Sequence, residues 1–246
     1  MSRPQVVAHR GSSAAHPENS WAAFEAALAE GADVIECDVQ GTRDGILVIR
    51  HDLRIGDRLV AECSMAEIDA LEPGLVRLAD LLAWAPRVNI GLLVEIKDPD
   101  VALPVGVVAA ASPWCEHIVL GSFHGPALAA MKVQAPRVKT SLMLGSVLLA
   151  QDMVRLAFAY HADGVHPCWE SRSPRPHRLL DRAAIGYLRG TGLAITLWHE
   201  ERAGELHSLV ALAPDAICTN EPAMPRKIVD MAAATGRAAE RQTALE

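Results

Sequence analysis

Short β-branched or apolar runs alternate with longer Ala- and Leu-rich runs from one end of the chain to the other, and this alternation narrows the possible folds most. The strand candidates are Gln5–His9, Val34–Val39, Gly91–Ile96, Ile118–Phe123, Lys139–Leu144, Gly164–Pro167, Ala194–Trp198 and Ala216–Cys218. The helix candidates are roughly Ser20–Glu30, Leu78–Ala85, Asp100–Ala111, Gly125–Gln134, Leu148–His161, Pro176–Arg189, Glu201–Leu212 and Pro222–Ala234. Repeated strand–helix alternation implies parallel strands joined by right-handed crossovers. Eight such units in 246 residues fit a closed (β/α)₈ TIM barrel better than an open doubly wound sheet. No linker or low-complexity tract interrupts the pattern, so residues 1–246 read as one domain. One piece is extra. Gly45–Arg58, after the second strand, opens with an Asp44-Gly45 turn and Ile46–Ile49, the signature of a small hairpin-like insertion.

Bulk properties exclude several classes. A formal charge of −7 speaks against non-specific binding to nucleic acid or an anionic membrane. No apolar run reaches the roughly 18 residues that would suggest a membrane span. Five scattered cysteines, with no C-x-x-C pair, fit reduced thiols better than a disulfide framework. Strand-like sequence begins by Gln5, where a secretory leader would have an apolar core. These features together lead us to expect a cytoplasmic protein.

The unusual residues fall at strand ends, where barrels of this kind carry their chemistry. Glu36 and Asp38 are two apart on one strand and so share a face, with Cys37 on the other. Adjacent carboxylates repel and are costly to bury unless a cation or water reaches them. With Glu95 they make three hard oxygen donors, a set suited to Mg²⁺ or Ca²⁺ rather than Zn²⁺. An ion pair with Lys97 is the plainer reading of Glu95.

His9 and His51 are the proton-transfer candidates among ten histidines, since each adjoins a charged residue (Arg10, Asp52) at the expected mouth. Arg10 and Lys97 supply fixed positive charge for a phosphate. Gly11 suits a sharp turn behind Arg10, and Asn19 or Ser20 suits an N-cap. Glu18 lies within reach of the mouth or on the surface. Phe123 ends the fourth barrel strand, and Trp198 ends the seventh. Trp198 is expected either to wall the substrate pocket, meeting any quaternary amine by cation–π contact, or to pack at the rim. The loop Cys168–Pro176, with Trp169, Arg172 and Arg175, reads as a solvated basic segment, with substrate selection as the alternative.

These residues carry a resemblance. HRG at His9–Gly11, PENS at Pro17–Ser20, E-C-D at Glu36–Asp38, HD at His51-Asp52, EIK at Glu95–Lys97, SF at Ser122-Phe123 and the late Trp198 resemble, in order, the motifs of the glycerophosphodiester phosphodiesterases. The resemblance implies a TIM barrel with a small insertion after the second strand. It implies a divalent cation on Glu36, Asp38 and Glu95, and His9 and His51 as the acid–base pair. The implied reaction is hydrolysis of a small glycerophosphodiester to an alcohol and glycerol 3-phosphate. The implied binding residues are Arg10, Lys97, Trp198, Glu18 and Phe123. The chain departs from the pattern after HD, after Trp198, where it reads HEE, and at its last strand, which ends TNEP. Those departures bear on the alcohol side of the substrate. A related barrel phospholipase, of the sphingomyelinase D or phosphoinositide-cleaving type, and a non-catalytic barrel are the rival readings.

Overall fold

A computed structural model describes the backbone of residues 3–243 and the side chains of residues 3–235. The strands are β1 (Gln5–His9), β2 (Val34–Gly41), β3 (Leu47–Ile49), β4 (Arg54–Ile55), β5 (Arg58–Leu59), β6 (Gly91–Ile96), β7 (Ile118–Ser122), β8 (Lys139–Leu144), β9 (Gly164–Pro167), β10 (Ala194–His199) and β11 (Ala216–Thr219). The helices are α1 (Trp21–Ala29), α2 (Met65–Leu71), α3 (Leu78–Val88), α4 (Ala102–Ala111), α5 (Gly125–Gln134), α6 (Ala150–Ala159), α7 (Arg182–Gly190), α8 (Ala203–Leu212) and α9 (Ala223–Thr243).

Eight parallel strands close on themselves, because β1 pairs with both β2 and β11, β2 pairs with β6, and each of β6 to β10 pairs with the next. All eight are the ones expected. Residues alternate across the barrel wall. Outward-facing Ile35, Cys37, Val39, Leu92, Val94, Leu120, Ile195 and Ile217 join the main core beneath the helices. Inward-facing Val7, Leu93, Ala216 and Cys218, with Val34 and Val119, form a smaller plug inside the barrel. Apolar packing therefore holds the wall from both sides and leaves one end of the interior polar.

The helices follow expectation with local breaks. Ser20 caps α1 by accepting from the Ala23 amide. The run Pro176–Arg189 is divided: Pro176–Leu179 is a 3₁₀ turn, and Asp181 caps a separate α7 by accepting from the Ala184 amide. An Asp side chain competes for backbone N–H groups, which favours a helix start over a helix interior.

The insertion is larger than the sequence reading had it. Strand β3 returns antiparallel on the end of β2, and β4 and β5 form a separate hairpin. Helix α2 follows, its start fixed by a reciprocal capping box between Ser64 and Glu67. Val48, Ile55, Val60, Cys63, Met65 and Ile68 give this unit a small core of its own. Ile68, fully buried at its centre, should cost about 2–5 kcal/mol on truncation to Ala, measured by urea unfolding. A loss under about 0.5 kcal/mol would mean that this cluster does not pack as described.

Candidate active site

The register of the barrel assembles the acidic centre. On β2, Glu36 and Asp38 point inward, and Asp38 lies directly beside Glu95 on β6. On the other side His9 of β1 pairs with Glu36. Paired residues of neighbouring strands point to the same face, so the four side chains converge at one end of the barrel. Glu36, Asp38 and Glu95 each bring a carboxylate oxygen within 4.8 Å of the others, and all three are buried.

Two cations flank them. The Arg10 Nε lies 3.2 Å from Asp38, and the Lys97 Nζ lies 2.8 Å from Glu95 and 3.5 Å from Asp38. The ion pair expected as the plainer reading of Glu95 thus exists alongside the triad. A left-handed turn aims Arg10: Arg10 and Gly11 have φ of 58° and 82°. A Cβ on Gly11 would lie 2.6 Å from the Ala23 backbone, so only glycine fits there. The turn points the Arg10 amide at Glu36 (2.9 Å) and lets the guanidinium reach Glu18 (2.7 Å).

Even so, Glu36 Oε1 and Asp38 Oδ1 are buried without a hydrogen-bond partner. Burial, with Asp38 and Glu95 close by, pushes the Glu36 carboxyl well above its ordinary range; burial and Asp38 also raise Glu95, against the pull of Lys97. Three carboxylates against two cations, with orphaned oxygens and no sulfur or imidazole donor among them, fit a hard divalent cation.

Imidazoles form the facing wall. His9 is held by Asn220, its Nδ1 2.7 Å from Oδ1, and Ser13 donates to the same oxygen at 2.9 Å. Burial, reinforced by Arg10 and His199, pulls the His9 pKa down to about 4. His51, on the insertion, sits 3.0 Å from Asp52 through Nδ1. Its segment is anchored by Gln40, whose side-chain amide donates to the carbonyls of Arg50 and Asp52. His166 is buried on the floor, and burial draws its pKa down to about 3.

A cavity of about 210 Å³ is lined by His9, Arg10, Glu36, His51, Glu95, Lys97 and Phe123, together with His166, Glu170 and His199. A polar groove of about 430 Å³ shares His9, Arg10 and His199 and continues past Glu18, Glu201 and Asn220. A larger, apolar groove of about 780 Å³ outside the barrel holds one carboxylate, Asp80, and no imidazole, so the chemistry belongs to the mouth.

Of the two expectations for Trp198, the substrate wall is corrected: the indole is absent from the cavity lining and fully buried, stacked on Trp169 with ring centroids 6.2 Å apart. The cause is a bulge: Leu197 pairs with Ile217 but His199 pairs with Cys218, so Trp198 is the extra residue. The bulge turns His199 into the mouth, where it stacks on His9 with centroids 4.7 Å apart and planes within 9°. Three residues join the site that the sequence did not assign to it: His199, Asn19, a candidate N-cap whose amide donates to Asp38 at 2.9 Å, and Glu170, in the loop read as solvated and basic.

An inward acidic cluster with basic and imidazole neighbours at one end of a (β/α)₈ barrel suits metal-assisted hydrolysis, and the paired cations suit a phosphate ester. The sequence profile of the glycerophosphoryl diester phosphodiesterase family matches residues 9–224. A Mycobacterium tuberculosis protein described as a probable glycerophosphodiester phosphodiesterase is 31% identical over 95% of each chain. A glycerophosphodiester phosphodiesterase of Caldanaerobacter subterraneus is 26% identical, covering 88% of this chain and 94% of its own. Two solved structures share the fold. A glycerophosphodiester phosphodiesterase of Agrobacterium tumefaciens has a TM-score of 0.75 at 23% identity, covering 90% of this chain and 98% of its own. An Oleispira antarctica phosphodiesterase, in complex with the product sn-glycerol-3-phosphate, has a TM-score of 0.77 at 22% identity, covering 93% of this chain and 97% of its own. The chain belongs to the glycerophosphoryl diester phosphodiesterase family, and its enzyme class is that of the phosphoric diester hydrolases.

The raised carboxyls make a pH prediction. A carboxyl lifted above its unfolded value, near 4.5, holds its proton more tightly in the folded chain. Its favourable contribution is therefore present at low pH and lost as pH rises through the raised value. Glu36→Gln should raise the melting temperature of the EDTA-treated protein at pH 8 and change it little at pH 5. A variant no more stable than the parent at pH 8 would show that the Glu36 carboxylate is not under strain.

Proposed function

We propose that residues 1–246 act as one domain that hydrolyses small glycerophosphodiesters to an alcohol and glycerol 3-phosphate, with a divalent cation on Glu36, Asp38 and Glu95. One observation carries this reading: three buried carboxylates converge within 4.8 Å, two of their oxygens without a hydrogen bond, beside two cations and a wall of imidazoles. The hard oxygen set favours Mg²⁺ or Ca²⁺. When bound, such a cation supplies Lewis-acid polarisation of a phosphoryl oxygen. The family membership and the product named for the Oleispira structure support the choice of substrate.

The chain's own residues divide the remaining work. Arg10 and Lys97 line the cavity and hold the phosphate by charge, and they meet the negative charge that grows at phosphorus in the transition state. Asn220 Oδ1 accepts from the His9 Nδ1–H, which leaves His9 Nε2 as a lone pair facing the cavity. With its pKa drawn down to about 4, His9 is neutral at pH 7 and is the base. It takes the proton of the attacking hydroxyl, either the glycerol 2-hydroxyl, giving a cyclic phosphate first, or water. His51, oriented through Nδ1 by Asp52, gives a proton to the departing alkoxide. Glu18 positions Arg10 from the surface side, and Phe123 supplies an apolar rim beside the phosphate.

Among the described residues no helix is long and apolar enough to cross a membrane. The five cysteines are unpaired, as in a reducing compartment, which supports a cytoplasmic setting.

The test is a panel of glycerophosphodiesters with Mg²⁺, Ca²⁺ or Mn²⁺, read by released glycerol 3-phosphate beside an intact lipid diester. Turnover of the water-soluble diesters is expected; turnover of the lipid alone would make the protein a phospholipase. His9→Ala and His51→Ala should each lose about 10²–10⁴-fold in kcat with an unchanged circular dichroism spectrum. Near-parental turnover in either variant removes that residue from proton transfer. Exhaustive EDTA treatment should abolish activity, and full activity after it would contradict the ligand assignment.

A further inference from the structure

The two ends of the mouth present different groups. Arg10 and Lys97 stand beside the carboxylate triad at the phosphate end, whereas Glu170, from the loop after β9, and Glu201, just past β10, flank His199 at the other. There His199 stands between two carboxylates, with Nε2 3.8 Å from Glu170 and Nδ1 3.6 Å from Glu201. Even a protonated ring leaves this group of one imidazole and two carboxylates with one negative charge. Glu170 lines the cavity, and its Oε2 is buried with no hydrogen-bond partner. An unpaired carboxylate oxygen is costly unless a donor meets it, and a charged N–H donor meets it best.

That requirement discriminates between cationic headgroups. A primary ammonium brings N–H donors; a trimethylammonium brings none and relies on aromatic faces instead. Trp198, the indole that sequence position would put there, lies fully buried behind the bulge. Phe123, half exposed at the rim, is the one benzene or indole ring among the residues lining the cavity. One ring does not make a cage.

We propose that Glu170 selects the alcohol portion of the substrate, so that the mouth prefers glycerophosphodiesters bearing a primary ammonium over those bearing a quaternary ammonium or no charge. The inference rests on the phosphodiesterase reading and narrows its substrate class. A zwitterionic diester matches both ends of the mouth at once: phosphate against Arg10 and Lys97, ammonium against Glu170.

The experiment compares kcat/KM for glycerophosphoethanolamine, glycerophosphocholine and glycerophosphoglycerol, using the full chain with Mg²⁺ supplied, in the parent and in Glu170→Gln. The parent is expected to favour the ethanolamine diester by at least about tenfold, mostly through KM, because the contact forms on binding. In Glu170→Gln the fall on the ethanolamine diester should exceed the fall on the glycerol diester by a similar factor. Equal use of all three diesters by the parent overturns the inference and leaves the phosphodiesterase reading standing. An equal loss on all three in the variant also overturns it, since Glu170 would then grip the shared glycerol. Hydrolysis of none sinks the phosphodiesterase reading and the inference with it.

Discussion

Three carboxylates forced together inside a barrel are the constraint on which the site depends. The parallel register sets Asp38 beside Glu95 and Glu36 beside His9, and neither pairing can slip without turning whole strands inside out. Burial then makes the arrangement expensive, and the surroundings read as answers to that expense. Arg10 and Lys97 lie within ion-pair distance, the Arg10 amide is turned inward, and Asn19 takes a left-handed conformation (φ 57°) that lets its amide reach Asp38. Glu36 Oε1 and Asp38 Oδ1 remain without a hydrogen bond, the second with only Lys97 at 3.5 Å, and a cation is the group of the right charge and hardness to take them.

Irregular backbone does the positioning that regular strands cannot. The left-handed Arg10-Gly11 turn directs an arginine back over its own strand end, and close contact with Ala23 fixes that turn to glycine. The bulge at Trp198 exchanges an indole for an imidazole at the mouth and places the indole against Trp169 in the outer layer. The insertion contributes His51 from outside the barrel. Its own small core and the anchoring by Gln40 allow that histidine to stand over a site built on other elements.

Much of this was legible in the sequence because it follows from periodicity. The eight barrel strands are β-branched or apolar runs, and the shared face of Glu36 and Asp38 follows from a period of two. What stayed hidden depends on broken periodicity or on distance along the chain. Alternation from Ile195 gives the wrong parity for Trp198 and His199, since one extra residue reverses every side chain beyond it. Helix α2 is short and carries little apolar periodicity, yet the Ser64…Glu67 capping box could have marked its start. Asn19 read as an N-cap because its contact with Asp38 is tertiary. Glu170 read as part of a solvated loop, because its neighbour His199 lies 29 positions further along the sequence.

Crystals grown with Mn²⁺ and measured near the manganese edge test directly whether the carboxylate triad holds a divalent cation. An anomalous peak is expected between Glu36, Asp38 and Glu95, about 2.0–2.3 Å from one oxygen of each. A map with no peak there, the three carboxylates closed onto Arg10 and Lys97, would contradict that reading.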